Sequence, residues 1–277
     1  MLAIPDTMNV QAAAAAHKVA DVKTPTRFIV SGMLAGAFVG VAVVLMVTTA
    51  GPLLAEGSGA AKLVSGAVFG VALTLVVFAG GELSTSSMMT LTQGSLMRAV
   101  RVWPAAGTLL LTFAANLVGA FVFGSLVSAS GILESNAPAG EMLRGMLEAK
   151  AHEGPVELFV RGVLCNVLVC LAIWMCARLT TDGPKLAVIF WALLAFIASG
   201  FEHVVANMTT YAIGITSGYD GATWDLFGRN LLWVGLGNLV GGALLVGVAY
   251  WFVAGSPRST SRPLKPGERE IEDTVAR

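Results

Sequence analysis

The chain has 277 residues, 56% of them hydrophobic and only 12% charged, with 17 basic and 17 acidic side chains in balance. Soluble domains carry roughly a quarter charged residues, so a water-soluble globule is excluded, and the zero net charge argues against a nucleic-acid partner. Cys165, Cys170 and Cys176 crowd into one apolar stretch, at spacings that suit neither a disulfide framework nor a zinc site.

A helix crossing the roughly 30 Å hydrocarbon core takes about 20 apolar residues. From the N-terminus, residues 8–22 read as a short alanine-rich surface helix with His17 and Lys18 on its polar side, and no cleavable leader is apparent. Spans are then expected over 27–50, 61–80, 104–130, 158–179, 184–200 and 226–253, the second and fifth each leading into an interruption. The domain plan is a cytoplasmic segment over 1–26, a transmembrane body over 27–254 and a disordered cytoplasmic tail over 255–277, where prolines and mixed charge cannot build a core.

Lys and Arg accumulate on the cytoplasmic side of bacterial membrane proteins. With the N-terminus inside, Lys18, Lys23, Arg27, Arg98, Arg101, Arg178 and Lys185 fall inside together with the basic residues of the tail. The opposite loops keep Lys62, Arg144, Lys150, Arg161 and Arg229 among glutamates. The expectation is six spans, both termini cytoplasmic, in a bacterial inner membrane.

The two interruptions match. Phe78-Ala79-Gly80-Gly81-Glu82-Leu83-Ser84-Thr85-Ser86-Ser87-Met88 and Ala198-Ser199-Gly200-Phe201-Glu202-His203-Val204-Val205-Ala206-Asn207-Met208 each run from apolar residues through glycine and glutamate into a polar stretch ending on methionine. Asn116-Leu117-Val118-Gly119-Ala120 likewise returns as Asn238-Leu239-Val240-Gly241-Gly242. Three spans followed by three force the second half upside down, the pattern of inverted-repeat transporters with discontinuous helices at the midplane. The fold expected is an all-α integral membrane protein of six helices in two inverted three-helix repeats, with broken second and fifth helices. After consecutive glycines, residues 82–87 should be irregular, with a half-helix restarting over 88–93 and its counterpart starting at Ala206. Their positive ends would face each other and attract an anion.

His203 is the one histidine within a span, and an ionisable group at membrane depth is functional by default. Thr85 and Asn166 are its natural hydrogen-bond partners. Glu202 belongs with the pore residues by position. Because an acid in an anion path repels the cargo, Glu82 and Glu202 are read as caps for loosened backbone N–H groups or as partners across a subunit contact. Lys150, before the fourth span, is either a solvated loop lysine or a vestibule charge that concentrates anions.

These residues resemble the formate/nitrite transporter family over about 28–251. Gly200-Phe201-Glu202-His203-Val204-Val205-Ala206-Asn207-Met208 looks like the family's G-[FY]-E-H-x-x-A-N-M signature, and Leu164-Cys165-Asn166-Val167-Leu168-Val169-Cys170-Leu171-Ala172 like its fourth-span motif. The resemblance implies an aquaporin-like protomer, a homopentamer in membrane lipid, one pore per protomer and no cofactor. It makes His203 the central pore histidine, Thr85 and Asn166 its polar neighbours and Lys150 the vestibule lysine. It also puts Phe69, Leu73, Val169 and Phe196 at the apolar constrictions. The family commonly has an aromatic before the threonine, and here it is Ser84.

The runs Cys170–Met175, Leu194–Gly200 and Asn230–Val234 are more similar to the nitrite branch than to the formate one. Nitrite is therefore the expected cargo, carried with proton assistance, with formate and hydrosulfide as alternatives. Two other classes compete: an intramembrane hydrolase using Glu202-His203 with Ser86 or Ser87, and a metal-ion transporter using His203, Glu202, Met208 and Cys165.

Overall fold

The computed structural model describes residues 1–258, all helix and short connections. The expected tail lies almost wholly outside the described residues. In chain order the elements are α1 (Ile4–Asp21), α2 (Pro25–Ala55), α3 (Ala61–Phe69), α4 (Val71–Thr74), a π-helical segment (Leu75–Gly80), α5 (Ser84–Leu96), α6 (Val102–Ala129), α7 (Ile132–Ser135) and α8 (Ala137–His152). There follow α9 (Pro155–Arg178), α10 (Asp182–Ala198), α11 (Val204–Thr216), α12 (Trp224–Leu239), a second π-helical segment (Val240–Val248) and α13 (Ala249–Val253).

Among the described residues, five stretches are long and apolar enough to cross a membrane: Pro25–Ala55, Ala61–Gly80, Val102–Ala129, Pro155–Arg178 and Trp224–Val253. The stretch expected as a fifth span is the apolar α10, shorter at 17 residues. Large apolar side chains such as Leu110, Leu126, Trp191 and Phe252 face outward, as a lipid-facing surface requires.

Interhelical contact in lipid depends on close backbone approach rather than on expelling water. The α2–α6 crossing shows this at Gly119, where a Cβ would stand 1.9 Å from the Met33 carbonyl oxygen. Its counterpart in the second half is Gly241, whose Cβ would meet the Val163 carbonyl oxygen at 2.3 Å. Both glycines follow the repeated asparagines by three residues, so each Asn-Leu-Val-Gly motif carries a crossing.

Two sequence expectations are corrected. First, α1 runs over Ile4–Asp21 rather than 8–22, and although residues such as Val10 and His17 stay exposed it packs one stripe against the body. Met8, Gln11, Ala12 and Ala15 recur at helical spacing and are fully or almost fully buried, with Met8 and Ala12 packed among Met89, Met97 and Trp174. Gln11 Oε1 accepts from the Thr90 hydroxyl at 2.8 Å, tying α1 to α5. Second, helix resumes at Ser84 rather than Met88, and at Val204 rather than Ala206. The serine hydroxyls do not release the backbone: Ser86 and Ser87 both donate to the Leu83 carbonyl and close the first turn.

Gly119→Leu forces a side chain into the Met33 backbone and should destabilise the fold by at least about 3 kcal/mol. Gly107→Ala, where a Cβ meets nothing within 4 Å, should be neutral. Thermal melting of the detergent-solubilised proteins, followed by size-exclusion chromatography, checks both.

Candidate functional site

The helical rods end on glycines in the left-handed region, Gly80 at φ +83° and Gly200 at φ +75°, where a Cβ would strain the chain. The backbone then runs extended to Leu83 and His203 before α5 and α11 begin. Each extended stretch needs partners for groups the helix no longer serves.

One buried asparagine meets that need on each side. Asn116 Oδ1 accepts from the Ser84 N–H at 2.8 Å, while its Nδ2 donates to the Gly32 and Glu82 carbonyls at 2.8 and 2.7 Å. Asn238 repeats the pattern: it accepts from the Val204 N–H at 2.9 Å and donates to the Gly162 and Glu202 carbonyls at 2.8 and 2.9 Å. The glutamate N–H groups are served in parallel, Glu82 by the Ser31 carbonyl and Glu202 by that of Arg161, both at 3.2 Å.

The arrangement brings Thr85 and His203 together. Thr85 Oγ1 lies 3.1 Å from His203 Nε2, and His203 Nδ1 accepts the Ala206 N–H at 3.2 Å. That second bond caps α11 and leaves the proton of the neutral ring on Nε2. Phe196 stacks near the imidazole at a centroid separation of 6.0 Å, and Phe69 meets Phe196 edge-on at 5.7 Å.

Two cavities meet at His203. The larger, about 380 Å³, is bounded by Met46, Met142, Lys150, Glu153, Glu202 and His203 among others. The smaller, about 10 Å³, has room for about one water. All four residues expected at the constrictions, Phe69, Leu73, Val169 and Phe196, line it together with His203. Val39, Ala72, Leu83 and Leu193 complete it and were missed from the sequence. Leu83 was findable, because it occupies the position of the first repeat that His203 occupies in the second.

The glutamates do not cap backbone with their side chains, which removes the first of the two roles read from the sequence. Glu82 pairs with Lys18 of α1 and Glu202 with Lys150 at 2.5 and 2.6 Å, the latter pair almost wholly buried. Two carboxylates at matching repeat positions thus each hold a lysine from a preceding helix. Asn207 also donates to Glu202, at 2.6 Å. Arg229 of α12 donates to the carbonyls of Lys150 and Ala151 at 2.9 and 2.8 Å, closing the end of α8 and fixing where Lys150 stands. Glu153, in the α8–α9 connection, pairs with Arg161. Burial, and then the nearby Glu202 charge, push its carboxyl above the ordinary range against the pull of Lys150 and Arg161.

Asn166 stands next to Thr85 but makes no hydrogen bond to His203 among the described residues. It lines neither cavity. Its Nδ2 donates to the carbonyls of Thr85 at 3.1 Å and Asn238 at 2.7 Å, so it holds the backbone that presents Thr85. Its buried Oδ1 has no hydrogen bond among the described residues.

Comparison with known proteins bears on this site. The family model described as formate/nitrite transporter matches residues 5–252. The chain belongs to the formate/nitrite transporter family. Among its relatives in that family, the nitrite transporter NirC of Escherichia coli (strain K12) is 42% identical over 251 residues, covering 89% of this chain and 91% of the relative. A solved FNT family ion channel superposes with a TM-score of 0.84 at 39% identity, covering 90% of this chain and 98% of that one. A pentameric formate channel with formate bound gives 0.72 at 27% identity, covering 83% and 98%.

Two expected outcomes follow. Asn238→Ala strands the Val204 N–H and two carbonyls in a dry interior and should cost on the order of 3 kcal/mol, read as a lowered melting temperature. Lys150→Met leaves the Glu202 charge buried without its cation and should cost about 3–5 kcal/mol. Adding Glu202→Gln should recover much of that loss in a double-mutant cycle.

Proposed function

We propose that this member of the formate/nitrite transporter family is a membrane channel for small monovalent anions, with nitrite as the main cargo. Each protomer of a homopentamer carries one pore through six spans, arranged as two inverted three-helix repeats with interrupted second and fifth helices. The assembly sits in a bacterial inner membrane with both termini cytoplasmic. The observation that carries this reading is the Thr85–His203 hydrogen bond, 3.1 Å long, at the junction of a wide cavity that holds the charged groups and a narrow apolar one. Support for nitrite is the 42% identity to a nitrite transporter. The superposition on a pentameric formate channel supports the pentamer and keeps formate as the second cargo; hydrosulfide is a third.

The mechanism follows from two comparable costs. Passing a bare anion through an apolar neck costs several kcal/mol of desolvation even after relaxation. Protonating an acid of pKa roughly 3.5 at pH 7 costs about 4.8 kcal/mol, at 1.36 per unit. A weak-acid anion that takes up a proton from water where the vestibule ends therefore crosses Phe69, Leu73, Val169 and Phe196 as the neutral acid and returns the proton to water on the far side. His203 stands at that boundary, with Nε2–H turned to Thr85 and to whatever displaces it. Its role is to hydrogen-bond the cargo there and assist the proton transfer.

The competing classes fit less well. A hydrolase needs its nucleophile against its base, but Ser86 and Ser87 both donate to the Leu83 carbonyl and neither hydrogen-bonds His203. A metal pore would need its carboxylate free, and Glu202 is held by Lys150 and Asn207.

The test is flux into liposomes holding the purified protein, with nitrite, formate and hydrosulfide compared across a pH series. Nitrite flux should lead and should rise as pH falls toward the acid's pKa. His203→Ala should lower it at least about ten-fold, a loss of about 1.4 kcal/mol in the barrier, with the oligomer unchanged by size. Undiminished flux in that variant would overturn the role of His203.

A further inference from the structure

The larger cavity has an uneven charge balance. Three cations line it, Lys62, Lys150 and Arg161, against two carboxylates, Glu153 and Glu202. Lys150 is committed to Glu202, and Arg161 to Glu153. To first order these two pairs cancel. Lys62 forms no ion pair among the described residues and is exposed. Of these five lining charges, Lys62 is therefore the one without an ion-pair partner among the described residues.

Its placement is directional. Lys62 opens α3, and Ser65 and Phe69 of the same helix also line the cavity. Positions 62, 65 and 69 share one helical face, so that face descends about 10 Å, at 1.5 Å per residue, from the lysine to the aromatic at the neck. Helix stability does not explain the lysine. A cation in the first turn opposes the helix dipole, and an acid would be favoured there. Both the side chain and the dipole end instead present positive charge to the mouth. The walls beneath are apolar, with Val43, Met46, Met142 and Met146, and a low-dielectric wall focuses such a field into the cleft.

We propose that Lys62 supplies a long-range attraction that gathers the anion at the mouth of this vestibule, and so governs flux at low anion concentration and its dependence on salt. Lys150 then serves within its pair with Glu202, close to the step at His203. This inference rests on the anion-channel reading above.

The experiment uses full-length protein in liposomes. Initial nitrite flux is measured well below and well above half-saturation, at low and at high ionic strength on both sides of the membrane. Lys62→Gln should cut the low-concentration flux about three-fold at low salt, and Lys62→Glu about ten-fold, as expected for one and two unit charges a few ångströms from the path in a high dielectric. Lys62→Arg should keep the wild-type value. The losses should shrink at saturating nitrite and largely vanish at about 1 M salt, where the Debye length falls to about 3 Å. Equal salt dependence in wild type and Lys62→Gln would overturn the proposal, as would a Lys62→Arg loss as large as that of Lys62→Gln. Failure of the parent reading looks different: the wild-type protein itself would pass no anion above empty liposomes.

Discussion

Everything in this molecule depends on how two stretches of backbone are kept from going unpaired in a dry interior. Where the rods end at Gly80 and Gly200, the chain gives up helical hydrogen bonds, and the extended residues that follow run into buried surroundings at Leu83 and His203. Asn116 and Asn238 replace them, each with one acceptor and two donor contacts to the same three kinds of backbone group. An amide is the side chain suited to this, since it both accepts and donates from one rigid end. Those bonds fix the first residues of α5 and α11, which puts Thr85 against His203. The glycines three residues after each asparagine bring the supporting helices close enough for the amides to reach. Clip and crossing are thus parts of one device, used twice.

The charged groups form a second layer around that device. A buried carboxylate is costly without a partner, and here each interruption glutamate has a lysine. The two pairs are not equally sheltered. Lys150 and Glu202 are about 8% and 7% exposed at the side chain, whereas Lys18 and Glu82 are 17% and 22% exposed. The Lys150 pair is further braced by Asn207 and by Arg229 through the end of α8. A charge held this firmly keeps a fixed place beside His203, whereas Lys62 is exposed and without an ion-pair partner among the described residues.

Much of this was legible in the sequence because it is periodic or repeated. Apolar runs of membrane length located the five long spans to within a few residues. The doubled glycine–glutamate segments located both interruptions, and the doubled Asn-Leu-Val-Gly located both crossings. What the sequence hid was partnership across long separations. Nothing local says that Asn116 reaches back to Gly32, that Lys18 closes on Glu82, or that Asn166 supports the Thr85 backbone instead of facing a cavity. The same blindness misplaced the start of α5: serines after two glycines read as irregular chain until an asparagine from α6 supplies the missing acceptor. For α1 the sequence showed the exposed side and not the buried stripe. Its stripe of Met8, Ala12 and Ala15 is small, and alanines hide an apolar face that a run of leucines would have announced.

The meeting of Thr85 with His203 carries one more consequence. Two identical polypeptides related by a dyad would have to present the same side chain twice at such a junction, either two imidazoles or none. Here one copy of the repeat offers leucine where the other offers histidine, so the junction is lopsided: apolar from one half, proton-bearing from the other. Such a mismatch requires two copies that mutate independently, as the two halves of one chain do and the two subunits of a homodimer cannot. Carrying both copies in one chain is therefore one way to obtain a chemically polarised junction from a repeated sequence.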